Sequence, residues 1–269
     1  MSGERALRSD GVELVVSLPT CQRDPDFPCA ERQRAYAAHL ETLGARTVLW
    51  TYEPAGEPAL TALRAQLGFR VLPLVPDMPA YMRDAADHGV VGAARRRFQR
   101  LGLRDQLRVA LRHAGRAPKV LAHDFATGLL ILVEMELARF RRHAPAGVML
   151  SASVTDLALA LGRAELLRDF VRLAERSYGL EAGLATHNYG TLAARLGEWA
   201  IGPGVIAAPF NPRGYLMNPS RLACETAIRA GAAPVLATHL EVDGLVSRPA
   251  ALDYVRRLGI RRAVVEARP

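Results

Sequence analysis

Three histidines follow similar short apolar runs in this chain. The runs read Val120-Leu-Ala-His123, Gly183-Leu-Ala-Thr-His187 and Val235-Leu-Ala-Thr-His239. An imidazole can act near neutral pH as a general base, a hydrogen-bond donor or a metal ligand, and the small residues before each histidine leave space around it. The repeated pattern predicts that at least two of these histidines face one pocket, with His187 and His239 exchanging protons with a substrate.

Three carboxylates are candidates to work with these imidazoles. Glu53, Asp124 and Glu241 each follow closely on the end of an apolar run. A carboxylate at such a position would orient an imidazole or, together with the histidines, hold one divalent ion. The sequence predicts catalytic roles for all three. The sequence allows a bound divalent metal ion but assigns no residue as its ligand. It favours NAD(P)H or flavin less than a metal as the cofactor.

The predicted substrate-binding side chains also follow apolar runs. They are His123, Asn188, Asn211, Arg213, Tyr52 and Asp77. Amides such as Asn188 and Asn211 can stabilise a developing oxyanion. Arg213 lies between a proline and a glycine in a predicted rigid turn, where its guanidinium could bind a carboxylate with two hydrogen bonds. The alternative role for this arginine is to tie two loops together.

The chain has a single lysine, Lys119. It precedes a predicted strand and would therefore lie at the end of that strand opposite the polar residues. Schiff-base catalysis needs an amine at the reacting centre, so the sequence disfavours an imine mechanism. No Gly-x-Gly-x-x-Gly motif opens a helix, so a dinucleotide phosphate loop is not predicted either.

The elements that must position these residues repeat as a helix, a glycine and a short apolar run. The helical stretches end at Gly44, Gly68, Gly115, Gly179, Gly231 and Gly259, where glycine can adopt the positive φ of a helix C-cap. The strand candidates are Glu13–Leu18, Thr47–Thr51, Arg70–Val75, Lys119–His123, Val148–Ser151, Gly183–His187, Val205–Ala208, Val235–His239 and Arg262–Glu266. The helix candidates are Glu31–Leu43, Ala59–Leu67, Gly128–His143, Ala164–Tyr178, Gly190–Trp199, Arg221–Ala230 and Ala250–Leu258.

Alternating helices and buried strands predict an α/β protein with a parallel sheet. The 269 residues match one (β/α)8 TIM barrel, so we predict a single domain over 1–269. Nine strands exceed the eight of a barrel, and the surplus is either an extra N-terminal strand, Glu13–Leu18, or the weaker Val148–Ser151. A helical insertion is expected around 77–115, as a lid over the barrel or as a surface hairpin.

Composition restricts the function classes. The chain shows neither a leader pattern nor an apolar run long enough to span a membrane, which predicts a cytoplasmic protein with no membrane partner. The net charge is +8, and almost all of the positively charged side chains are arginines. The arginine-rich stretch around 95–112 lacks interleaved aromatic residues except Phe98. We therefore predict no nucleic-acid partner. A homodimer stays open, by analogy with other barrels of this size.

The stretch from Tyr178 to Glu266 resembles the C-terminal half of an aldo/keto-reductase barrel. The resemblance lies in a glycine after a helix, a strand ending Ala-Thr-His187-Asn188, the Pro-Phe-Asn211 segment and a final strand. It implies that His187, Asn188 and Asn211 line a nicotinamide site. The Ala-Thr-His-Asn string is also similar to proline dehydrogenase, a flavin barrel. The reductases need a catalytic tyrosine–lysine pair, and Tyr52 has no lysine partner at a strand end, so the resemblance supports the fold alone.

Three functional hypotheses follow from these patterns. The first is an enzyme that performs acid–base chemistry, with or without a metal, on a small anionic carbonyl metabolite, as a lyase, aldolase or isomerase. The second is an oxidoreductase, either similar to aldo/keto reductases or dependent on flavin. The third is a non-catalytic binding protein on a degenerate barrel. The sequence favours an enzyme with a small-molecule substrate, and lyase or isomerase chemistry over redox chemistry.

Overall fold

Eight parallel strands form a closed barrel in the computed structural model of the chain, which describes residues 11–21, 23–116, 124–145, 147–231 and 233–268. The strands are β1 (Glu13–Ser17), β2 (Thr47–Trp50), β3 (Arg70–Val75), β4 (Gly147–Leu150), β5 (Glu181–Ala185), β6 (Val205–Pro209), β7 (Val235–Thr238) and β8 (Arg262–Glu266). Each strand pairs with its neighbours in chain order, and β8 closes the sheet by pairing with β1 from Glu13↔Arg262 to Ser17↔Glu266. The predicted (β/α)8 barrel is therefore confirmed.

Both strands that the sequence offered as surplus belong to the barrel, which corrects that part of the prediction. The first strand pairs with β2 as well as with β8. The short strand β4 joins β3 to β5, with Met149 opposite both Leu74 and Gly183. Eight of the nine candidates thus close the barrel. The ninth, Lys119–His123, lies outside the described residues.

The described residues form ten α-helices around the strands. They are α1 (Ala30–Leu43), α2 (Glu57–Leu67), α3 (Met78–Gln99), α4 (Leu103–His113), α5 (Phe125–Phe140), α6 (Ala152–Ala160), α7 (Ala164–Arg172), α8 (Tyr189–Glu198), α9 (Arg221–Arg229) and α10 (Arg248–Arg257). A π-helical turn over Leu173–Tyr178 extends α7. The sequence patterns do not predict α6, which follows β4 directly. Within the described residues, none of the helices is long and apolar enough to cross a membrane.

The predicted insertion around 77–115 consists of α3 and α4, between β3 and α5. These two helices pack against α5 through Leu101 and Val109, which meet Leu132, Met135 and Ala138. Other residues of α5, among them Leu130 and Val133, belong instead to the main core around the barrel. Because α5 is covered on two sides, its sequence is apolar nearly all round. This packing favours a helical hairpin on the side of the barrel over a lid.

A buried carboxylate fastens the insertion to α5. Glu134 is fully buried, and its carboxylate oxygens lie 2.6 Å from His113 Nε2 and 3.0 Å from the hydroxyl of Tyr178. Arg112, on α4, also donates a hydrogen bond to it. Side chains from α4 and from the turn after α7 therefore converge on one charge of α5, in a place where water does not reach.

The inside of the barrel is filled by a layer of apolar side chains. Val15, Leu72, Met149, Val205 and Leu236 belong to one buried cluster, separate from the larger core between strands and helices. Such layers are typical of closed eight-stranded barrels, whose interior is a packed core. We refer to this cluster as the barrel floor, because the loops that follow the strands lie above it.

Gly183 on β5 leaves room for the barrel floor, and we expect Gly183→Ala to destabilise the protein by about 1–3 kcal/mol through overpacking. A Cβ at this position would overlap Met149 Sδ and lie 2.9 Å from Val205 Cγ1. Gly197→Ala is the matched control, because nothing lies within 4 Å of a Cβ there. Alanine inside helix α8 should leave stability unchanged or raise it by about 0.5–1 kcal/mol. Urea denaturation of both variants checks this, and equal midpoints would contradict it.

Candidate active site

The end of β5 is held by an aspartate from helix α6. The hydroxyl of Thr186 donates to Asp156 Oδ1, and the backbone N–H of His187 donates to Asp156 Oδ2 over 3.0 Å. The same Oδ2 lies 3.7 Å from His187 Nδ1. A carboxylate on this side of the ring favours a proton on Nδ1. Asp156 thus positions both the turn and the imidazole.

His239 follows the end of β7 and approaches His187 across the intervening strand β6. The two ring centroids are 5.5 Å apart, with the ring planes at 73°. His239 Nδ1 lies 3.0 Å from the hydroxyl of Thr238. Two of the repeated histidines are thus in ring contact, whereas the predicted common pocket stays a prediction. Because both strands end at the same side of a parallel barrel, the pair lies at the rim where such barrels carry their functional loops.

The backbone after β7 adopts an uncommon conformation around this pair. His239, Val242 and Asp243 have φ values of +52°, +46° and +52°. A left-handed conformation at a non-glycine residue costs about 1–3 kcal/mol, and such residues cluster at functional sites. At His239 this conformation places the ring beside His187, so the strain has a direct effect on the geometry of the pair.

The surroundings of His239 keep its imidazole neutral. Loss of hydration, followed by the neighbouring His187, lowers the pKa of His239 below its ordinary value. Glu266 and Asp243 act in the opposite direction, and Arg23 adds to the lowering. A histidine that is neutral at pH 7 carries a free lone pair, which is the form that a general base requires. Glu266, at the end of β8, is the carboxylate that most opposes the lowering of the His239 pKa.

Each of the three predicted carboxylates has a partner other than the two imidazoles. Glu53 accepts the backbone N–H of Cys21 over 2.5 Å, and burial and this carboxylate raise the pKa of the Cys21 thiol to about 11. Asp124 caps helix α5 by accepting from the backbone N–H and the hydroxyl of Thr127. Glu241 forms an ion pair with Arg248 at 3.3 Å. None of these contacts joins the two imidazoles.

The three predicted binding residues of the second half of the chain have different environments. Asn188 begins helix α8, and its side-chain oxygen is buried without a hydrogen-bond partner among the described residues. Asn211 is fully buried and makes two hydrogen bonds with the backbone of Tyr215, at 2.9 and 3.0 Å, which close the loop after β6. Arg213 is exposed on that loop. Only Asn188, next in sequence to His187, has an unused side-chain group near the pair.

Tyr52 and Asp77 make hydrogen bonds with partners other than the two histidines. The hydroxyl of Tyr52 donates to Glu57 over 2.9 Å, and its ring lies 4.8 Å below the guanidinium of Arg139. Asp77 caps helix α3, and its backbone N–H donates to the buried Glu136, whose pKa is raised by burial to about 7. His123 lies outside the described residues.

Comparisons with known proteins add no assignment to this geometry. No protein-family model matches the chain, and no curated protein matches its sequence significantly. Among the residues that the structure describes, no group of three or more His, Cys, Asp or Glu side chains is arranged to hold a metal ion. The histidine pair is therefore the feature of the site that indicates its chemistry.

Proposed function

We propose that the protein is an enzyme that moves protons on a small anionic carbonyl compound, as a lyase, aldolase or isomerase. The observation that carries this proposal is the pairing of His187 and His239, with ring centroids 5.5 Å apart at the rim of a closed barrel. Two imidazoles at this separation can act on neighbouring atoms of one bound molecule. One of them has a lowered pKa and the other a carboxylate behind it.

The roles of the two histidines differ because their environments differ. His239, held neutral, is the general base that removes a proton from the carbon next to a carbonyl group. His187, in its protonated form, directs Nδ1–H to Asp156 and donates Nε2–H to the carbonyl oxygen as negative charge develops there. Asn188, next in sequence to His187, keeps a buried side-chain oxygen without a hydrogen-bond partner among the described residues, and a rotation of this side chain would offer the oxygen to a substrate hydroxyl.

The oxidoreductase hypothesis has less support from the side chains. An aldo/keto-reductase type of reaction would use a tyrosine as the acid, and Tyr52 is the candidate that the sequence offers. Its hydroxyl donates to Glu57, and burial raises its pKa, so it is a poorer acid than usual. We therefore favour proton transfer by the histidines over hydride transfer.

A solvent-exchange experiment tests the proposed function. The protein is incubated in D2O with a panel of small 2-oxo and 3-hydroxy carboxylic acids, and deuterium incorporation next to the carbonyl group is followed by proton NMR. We expect at least one compound to exchange in a protein-dependent manner, and the double variant His187→Asn/His239→Asn to lose the exchange. Absence of exchange across the panel, or exchange that the double variant retains, would argue against acid–base catalysis and for a binding protein.

A further inference from the structure

A polar cavity lies between the ends of β1 and β8 and helix α1. Its volume is about 240 Å³. Residues from all three elements line it, including Ser17, Arg23, Arg32, Tyr36, Glu266 and Arg268. We call this cavity the β1/β8 cleft. None of the residues predicted from the sequence to bind substrate lines it.

The β1/β8 cleft carries an excess of one positive charge. Three guanidinium groups, those of Arg23, Arg32 and Arg268, face two carboxylates, those of Asp24 and Glu266. Glu266 accepts from Arg268 over 2.8 Å and lies 3.6 Å from Arg23. A single negative charge would therefore make the cleft neutral, whereas the two charges of a phosphate dianion would make it negative.

Arg32 is pre-positioned to supply hydrogen bonds to that negative charge. Its Nε donates to Asp24 Oδ2 over 2.7 Å, and the hydroxyl of Tyr36 donates to the same oxygen over 2.7 Å. Although burial opposes ionisation, these two hydrogen bonds hold the pKa of Asp24 below its usual value. With Nε fixed in this way, the outer nitrogens of the guanidinium have no hydrogen-bond partner among the described residues, and their planar geometry matches a carboxylate.

We propose that the β1/β8 cleft binds a carboxylate group of the substrate, with Arg32 as the principal hydrogen-bond donor. The identification of the bound molecule as the substrate rests on the function proposed above, whereas carboxylate binding itself does not. This cleft replaces the turn around Arg213 as the anion site. The substrate class is then a short carboxylic acid whose carbonyl group lies a few atoms from the carboxylate.

The position of the β1/β8 cleft relative to the histidines supports this assignment. Glu266 and Arg23 line the cleft and are also two of the charges that act on His239. A carboxylate beside Arg23 would offset part of the positive charge that disfavours protonation of His239. Binding in the cleft is thus expected to be felt at the imidazole, as it must be if one molecule spans both places.

Titration of the full chain with propionate at pH 7 and constant ionic strength tests the proposal, with the amide signal of Ala267 as the NMR probe. We expect saturable binding of propionate, none of propionamide, and at least roughly tenfold weaker binding to Arg32→Gln, which loses the planar donor. Arg34→Gln is the matched control, since Arg34 is exposed on the same helix and the change in net charge is equal. Saturating propionate should also raise the pKa of the His239 ring, measured from its proton shifts.

Several outcomes would overturn the assignment. They are non-saturable binding of propionate, tighter binding of inorganic phosphate than of propionate, and an Arg34→Gln variant weakened as much as Arg32→Gln. If Arg32→Gln fails to fold by circular dichroism, Arg268→Gln carries the test, with a several-fold loss expected. The His187→Asn variant separates this proposal from the function, because it should lose turnover and keep propionate binding.

Discussion

Replacing His239 with asparagine will lower turnover by about 10²–10⁴-fold, the range typical of a lost general base. Asparagine retains a polar side chain of similar size, has no basic nitrogen, and is among the residues that best tolerate the left-handed backbone found at this position. The variant should therefore fold and bind as the parent does. Steady-state kinetics on the substrate identified by exchange will show a reduced kcat with little change in KM.

His88→Asn provides the matched control for this variant. His88 lies on the insertion helix α3, where it contacts Asp84 and Arg96, so its loss should leave kcat within about twofold of the parent, as for a surface substitution away from the site. Asp156→Asn should give an intermediate decrease, because the positioning carboxylate is lost while both imidazoles remain. A His239→Asn enzyme as active as His88→Asn would exclude His239 from the chemistry.

The pH profile of the parent enzyme gives an independent check on the role of His239. Loss of hydration and the neighbouring His187 lower its pKa, so the neutral base forms at a pH below about 6.5, the ordinary value for histidine. The value of kcat/KM should rise with pH, and the midpoint of the rise should lie below pH 6.5. The same sign applies to stability, because protonation favours the unfolded chain and the contribution of this group is lost as the pH falls through about 6.5.

The largest effect on stability is expected for Glu134→Ala, with a loss of about 3–5 kcal/mol, as when one partner of a buried ion pair is removed. The carboxylate is fully buried and accepts hydrogen bonds from Arg112 and Tyr178, with His113 Nε2 at 2.6 Å. Without it, the guanidinium and the imidazole stay in place with no opposing charge. The insertion would then separate from helix α5.

Glu165→Ala is the matched control for the buried charge. Glu165 pairs with Arg163 at 3.3 Å, and more than half of each side chain is exposed. Exposed pairs of this kind contribute about 0–1 kcal/mol, so the control should unfold close to the parent. Guanidinium denaturation of both variants gives the comparison. If Glu134→Ala loses no more stability than Glu165→Ala, the buried cluster does not fasten the insertion.

Five of the eight strands, β2, β3, β5, β7 and β8, were predictable because each is an apolar run that follows a glycine at a helix end. The identity of the eight strands was harder to predict. Residues Lys119–His123 match the repeated pattern well, whereas β4 has only four residues, Gly147–Leu150. A strand as short as β4 becomes recognisable only through its pairing with β3 and β5, which sequence patterns do not contain.

Some residues of the candidate site were also predictable from the local sequence, and others were not. His187 and His239 were predictable from their repeated position after a strand. Asp156 was not, since it comes from α6, a helix without a clear periodic pattern, and approaches His187 only through packing against β5. Asp124 shows a different case, because a carboxylate three residues before Thr127 is a typical helix cap, and the hydrogen bonds to Thr127 show that local use.

The barrel floor also determines how molecules reach the histidines. Val15, Leu72, Met149, Val205 and Leu236 close the axis of the barrel, and the small cavity lined by Thr47, Arg70 and Glu181 lies on their far side, at the starts of the strands. If the protein is an enzyme as proposed, its substrate enters and its product leaves through the same opening, at the ends of the strands. Product bound at this opening blocks the binding of substrate, and we therefore expect competitive product inhibition.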